Sequence, residues 1–184
     1  MRMSRSLAHA GIGCLAMLAV MACAHAGDPP AAPAAPPTAH AVADMTPTQG
    51  SDVKGRVTFT AEKHGVRVVA DVTGLTHGEH GFHIHEKGDC SAPDGTSAGA
   101  HFNPTGKPHG APGTVEHHLG DLGNIKADKT GVAHLEISFP HLTLNGPETI
   151  VGLGLIIHAS PDDMRTQPTG NAGARLACGV IRAQ

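Results

Sequence analysis

The chain of 184 residues has no tryptophan and no tyrosine, and only four phenylalanines. Proteins that hold single-stranded nucleic acid stack its bases on aromatic rings, so the chain is poorly equipped for that role. A surplus of positive charge is missing too. Lys and Arg number 13 against 16 Asp and Glu, for a formal net charge of −3, which excludes a basic nucleic-acid-binding domain. The main apolar stretch, near residues 11–22, is too short for an ordinary membrane helix, which needs about 20 residues. No apolar stripe of period 3.6 and no internal repeat is present. With so little aromatic surface, a core has to be aliphatic. What the chain has in quantity is histidine, 15 copies, with 24 Gly and 14 Pro. That imbalance suggests metal chemistry without establishing it.

Residues 1–26 read as a secretory signal. Arg2 and Arg5 form a positive start with no acidic residue, ahead of the apolar stretch. Two cleavage readings stand side by side. Ala24, His25 and Ala26 make a small-x-small site before Gly27. Val20, Met21, Ala22 and Cys23 resemble a bacterial lipoprotein box, which would leave Cys23 lipidated as the new first residue. Residues 27–38, GDPPAAPAAPPT, hold five Pro in twelve positions and read as an extended, semi-rigid spacer. The domain is placed at 39–184. Removing the two leader arginines makes the charge more negative. Cys14 and Cys23 fall in the signal, so Cys90 and Cys178 remain as an even pair in an exported chain, for which a disulfide is the default. Its loop would contribute roughly 4–5 kcal/mol in the chain-entropy picture, and less in practice.

The remainder has the period of strands. Val53, Gly55, Val57, Phe59 and Ala61 alternate with polar residues. After a turn at Lys63, His64 and Gly65, so do Val66, Val68, Ala70 and Val72, which together predict a hairpin. Residues 81–86 form a third short strand. Ala133, Leu135, Ile137 and Phe139 share one side of a fourth. Residues 149–158 are nearly all apolar and predict a central strand, and residues 176–182 close the chain. The reading is an all-β domain of seven or eight strands, a sandwich or flattened barrel. Two connections, residues 87–115 and 159–174, are too long for simple turns, and such loops are usually functional or disordered.

Histidines cluster at the ends of these strands and in these loops. On a strand, residues two apart share a face, so His83 and His85 present paired imidazoles while Phe82 and Ile84 point into the core. That spacing suits two cis ligands on one metal, and equally two surface histidines on a polar face. His101, His109, His118 and Asp121 follow within 21 residues. Three His and one Asp make a closed set suited to tetrahedral zinc. His83, His85 and His158 with one more His would be an all-imidazole set, which favours copper.

Four segments, GFHIHEKGD (81–89), GAHFNP (99–104), HLGDLGN (118–124) and GNAGARLACGVI (170–181), resemble the signature segments of Cu/Zn superoxide dismutase, in its bacterial, exported form. The resemblance runs from His40 to Gln184. It implies an eight-stranded Greek-key β-barrel or sandwich, immunoglobulin-like, with two long functional loops. It also implies one copper on His83, His85, His101 and His158, and one zinc on His101, His109, His118 and Asp121, with His101 bridging. It makes Arg175 the arginine that holds the superoxide anion beside copper, Asp162 the link between a copper-ligand and a zinc-ligand histidine, and Cys90–Cys178 the family disulfide. The implied activity is dismutation of superoxide to oxygen and hydrogen peroxide, with copper as redox centre, zinc structural and tuning, and His101 as proton carrier. The alternative is a non-enzymatic periplasmic copper/zinc-binding module on the same scaffold, which would be expected to lack a copper ligand or Arg175. The expected setting is periplasmic, soluble or tethered through Cys23, as a monomer or homodimer. Steering charge beyond Arg175 is sparse, with Arg165, Lys87 and Lys107 as candidates. His40, His64, His77, His80, His117, His134 and His141 read as ordinary surface or strand residues, with His117 pointing away from zinc.

Overall fold

The computed structural model describes residues 37–184. The signal reading of residues 1–26, Cys23 included, and most of the spacer lie outside the described residues. The described chain forms nine strands: β1 (His40–Pro47), β2 (Lys54–Glu62), β3 (Gly65–Thr73), β4 (Gly78–His85), β5 (Asp121–Ala127), β6 (Ala133–Phe139), β7 (Gly154–His158), β8 (Arg175–Val180) and the two-residue β9 (Arg182–Ala183). One 3-10 turn, Thr96–Ala98, sits in the first long loop.

All pairings are antiparallel. The order is β2-β3-β6-β5-β4-β7-β8-β1-β9, and a further β1–β2 pairing closes β1–β8 into an eight-stranded barrel. The jumps from β3 to β6 and from β4 to β7 are those of a Greek key. Stitching around the ring is uneven. Nine residue pairs join β2 to β3 and seven join β3 to β6, whereas Ala127↔Ala133 alone joins β5 to β6.

The period-two alternation does what it should. Val57, Phe59, Val66, Val68, Ala70 and Val72 are all at most 1 % exposed and line the barrel with Phe82, Ile84, Ile125, Leu155 and Ile157. Three details depart from expectation. Ile137 is 41 % exposed, so β6 turns its middle outward. The apolar run 149–158 contains a turn, and only Gly154–His158 is strand. β1 and β5 are strands that alternation misses: β1 buries Ala41, Val42 and Ala43 in succession, and β5 opens with Asp121 and carries Gly123 and Asn124.

The two long connections, from β4 to β5 and from β7 to β8, both cover the outer side of β4 and β7. Cys90 and Cys178 form a disulfide across 88 residues, which fastens the first loop to β8.

Candidate metal centre

β4 is buried on both faces. Phe82 and Ile84 enter the barrel core, while His83 and His85, at 0 and 1 % exposure, lie on the other face beneath the loops. The β4–β5 register shifts between Gly81 and His83, and the β7–β8 register shifts between Ile157 and His158. Such irregularities re-aim a side chain, and here each one falls at a histidine that turns toward the other. His101 is brought in by an isolated bridge with His85.

The result is two convergent donor sets that share one ring. His83, His85, His101 and His158 form the first, and His101, His109, His118 and Asp121 the second; within each, the donor atoms lie within 4.8 Å of one another and every residue is buried. In the second set Asp121 Oδ1 stands 2.8, 3.0 and 3.3 Å from Nδ1 of His101, His109 and His118, and the His118 and His101 Nδ1 atoms are 3.5 Å apart. A tetrahedral zinc with bonds of about 2.0–2.1 Å has ligand–ligand edges of about 3.3 Å, so the spacing fits. Asp121 Oδ2 is held by the backbone N–H groups of Gly110 at 3.1 Å and His118 at 2.9 Å, which aims Oδ1 inward.

The first set shows its purpose by what its rings lack. His85 Nδ1 donates to the Gly99 carbonyl at 2.9 Å, and His158 Nδ1 donates to the Gly173 carbonyl at 3.2 Å. His83 Nε2 donates to Asp162 Oδ2 at 2.8 Å. Each bond fixes a tautomer and leaves the other nitrogen with a lone pair. His83 Nδ1, His85 Nε2, His101 Nε2 and His158 Nε2 are buried without a partner. An unpaired buried acceptor costs about 1–3 kcal/mol, and four facing one another call for a cation. An all-nitrogen donor set suits copper.

Charge separates the two sets. Burial lowers the pKa of His83 to about 4, of His85 to about 2 and of His158 to about 3, so these rings are neutral and ready to ligate. Burial also works against charge on His109, but the two carboxylates beside it, Asp121 and the hydrogen-bonded Asp162, outweigh it and raise the ring to about 9. Asp121 and Asp162 are themselves held well below the carboxylate range; burial opposes this, and the bonds from their histidines overcome it.

Asp162 joins the sets. Its Oδ2 accepts from His83, and its Oδ1 accepts from His109 Nε2 at 2.9 Å. Gly170 makes room for this at φ +66°, because a Cβ there would overlap Asp162 Oδ1 and come within 2.6 Å of His109 Nε2. Arg175, the first residue of β8, donates from Nη1 to the Gly95 carbonyl and from Nη2 to the Gly99 carbonyl, both at 2.6 Å. The Gly99 carbonyl is the one that orients His85. Arg175 also lines a cleft of about 310 Å³ with Thr48, Asp94 and Thr96.

Of the suggested steering charges, Lys107 is tied down, donating from Nζ to the Val115 carbonyl at 2.8 Å, while Lys87 and Arg165 are exposed. Sequence reasoning passed over two supporting residues. His80, 1 % exposed, donates from Nδ1 to the His158 carbonyl at 2.8 Å and spans to Thr76. Gln167 makes a reciprocal pair with the backbone of His109: it accepts from the amide at 2.8 Å and donates to the carbonyl at 2.8 Å. A glutamine in a polar loop gives no signal of such a clamp.

A family model for copper/zinc superoxide dismutase (SODC) matches residues 53–181. The chain is 42 % identical over 154 residues to the extracellular superoxide dismutase (Cu-Zn) of Brugia pahangi, covering 78 % of this chain and 76 % of the relative. It is 44 % identical over 145 residues to the superoxide dismutase (Cu-Zn) of Onchocerca volvulus, covering 72 % and 90 %. The crystal structure of the clock protein EA4 superposes with a TM-score of 0.76 at 38 % identity, covering 83 % of this chain and 99 % of that one.

Proposed function

Because the chain belongs to the copper/zinc superoxide dismutase family, we propose that its paired donor sets serve the conversion of two superoxide ions and two protons to oxygen and hydrogen peroxide. His83, His85, His101 and His158 would hold copper, and His101, His109, His118 and Asp121 would hold zinc. The observation that carries this reading is the group of four unpartnered imidazole nitrogens sharing His101 with a second, carboxylate-containing set. Copper supplies one-electron redox chemistry when bound, and zinc supplies fixed positive charge without it.

The chain's own residues do the rest. Arg175, held by two carbonyls, presents a fixed cation at the cleft, which draws in a small anion and orients it. His101 lies between the sets with Nδ1 on Asp121 and Nε2 facing the other three rings, so Nε2 is the atom from which a proton can be delivered to product. Asp162 keeps His83 and His109 in their ligating tautomers. A binding module without turnover has no such need for Arg175, and nothing in the site favours that alternative.

Export is supported by the extracellular relative from Brugia pahangi. A periplasmic location, a lipid tether at Cys23 and a bacterial origin rest on the amino-terminal segment alone; the two relatives named above are nematode proteins. Intact mass of the mature protein separates a lipidated Cys23 from a start at Gly27.

Protein loaded with copper and zinc should dismutate superoxide in pulse radiolysis. Arg175→Ala should lower the rate at least about tenfold with both metals retained and with weaker inhibition by anions. Full occupancy without turnover would overturn the enzyme reading, and an unchanged rate in Arg175→Ala would overturn the role of that residue.

A further inference from the structure

Seven buried side-chain nitrogens have no hydrogen-bond partner among the described residues, and all seven are imidazole nitrogens. Five belong to the two donor sets. The other two are His117 Nε2 and His141 Nε2, which belong to neither. Their rings touch, with centroids 4.7 Å apart and planes at 77°.

His117 is 7 % exposed. Its Nδ1 donates to the Thr114 carbonyl at 2.7 Å. A carbonyl only accepts, so the neutral ring carries its lone pair on Nε2. The His141 ring lies against the Leu119 backbone, and its Nε2 has no hydrogen-bond partner. Two buried, unpartnered nitrogens in adjacent rings make the same unfavourable arrangement as the one that marks the main centre.

Ring spacing shows how a cation would be held. Co-ligand rings within the two donor sets have centroids 4.1–6.3 Å apart. The 4.7 Å separation of His117 and His141 lies inside that range.

We propose that His117 and His141 form a third metal site, which takes a borderline divalent ion such as Zn²⁺ through both Nε2 atoms, with water completing its shell. Neutral imidazoles select late transition ions and leave Ca²⁺ and Mg²⁺ unbound, since those require oxygen donors. Burial, and then the neighbouring His117, push the pKa of His141 down, which favours an ion over a shared proton. His141 is partly exposed and provides the route from solvent. Because His117 precedes His118 directly, the ion would tie the end of the first long loop to the segment after β6. The inference stands on geometry outside the main centre and does not rest on dismutase activity.

The test uses protein already full of copper and zinc, dialysed to equilibrium against micromolar Zn²⁺. One further equivalent per chain should bind, and the thermal midpoint should rise with Zn²⁺. Both effects should vanish in His141→Gln with the first two metals kept, and both should persist in His134→Gln, which removes an exposed histidine of β6. Absence of the extra equivalent in the wild type, or its survival in His141→Gln, would overturn the site. Nitrogen-15 shifts of the two Nε2 atoms in the wild type give a second measure. Both should move on Zn²⁺ addition, whereas an Nε2–H signal that ignores Zn²⁺ would show a shared proton and reject the ion.

Discussion

The two halves of the centre are built differently. His83, His85 and His158 stand on β4 and β7, whose neighbours hold them on both sides. His109 and His118 stand on a loop, where side chains replace the sheet: Asp162, Gln167 and the backbone-held Asp121. Burial, helped by repulsion from neighbouring rings, keeps the strand-borne histidines neutral, while two carboxylates raise the pKa of the loop-borne His109. A barrel wall thus prepares ligands by exclusion of water, and a loop prepares them by charge. The first kind of site should persist without its metal; the second should depend on it.

Asp162→Ala should break this contrast most strongly, since it takes an acceptor from one ring of each kind. Zinc affinity should fall about 10–100-fold, as followed by competition with a chelator, and copper affinity should fall less because β4 still holds His83. Equal losses at both sites would refute the distinction.

An acid–base profile of the metal-free protein sharpens it. His83, His85 and His158 have folded pKa values below the ordinary 6.5. As pH falls below about 6.5, the unfolded chain therefore takes up protons that the folded chain refuses. Stability should drop by about 1 kcal/mol per ring per pH unit until the folded values are approached. His109, raised to about 9, has the opposite sign: its contribution is complete below 6.5 and is lost as pH rises through 9. Urea unfolding at pH 5, 7 and 9 should give the highest stability at pH 7. A flat limb on the acid side would remove the burial argument, and a flat limb on the alkaline side the carboxylate one.

The smallest effect is expected from Gln167→Ala. Zinc release should speed up a few-fold, about one hydrogen bond's worth, with the copper signal in electron paramagnetic resonance unchanged. A changed copper spectrum would show that the clamp serves both halves.

Much of this was legible in the sequence where one rule acts alone. Alternation marked β2 and β3 because each buries one face. It failed at β1, where three successive residues are buried, and at β5, where Asp121, Gly123 and Asn124 serve the centre at the expense of strand preference. The spacing of His83 and His85 placed both rings on one face, but their turning toward His158 depends on register shifts that no spacing contains. The sequence turns His117 away from zinc and His118 toward it, but offers no partner for His117. Only the Thr114 carbonyl and the Asp121 carboxylate, contributed by the folded loop, send one ring toward His141 and the other into the donor set.

As a mechanical object, the barrel has one weak seam. Eight strands close a ring, yet the β5–β6 ladder has one residue pair, Ala127 with Ala133, next to the turn whose Asp128 amide donates to the Val132 carbonyl. Local opening costs least where the fewest bonds are broken, and opening there bares the β5-facing edge of β6, which stays paired to β3 along its length and carries Ile137, with Val132 at its start, at 41 and 45 % exposure. A freed apolar edge is a template for another chain. The closed ring thus leaves one stretch of edge where a strand of another chain would have the least native pairing to displace.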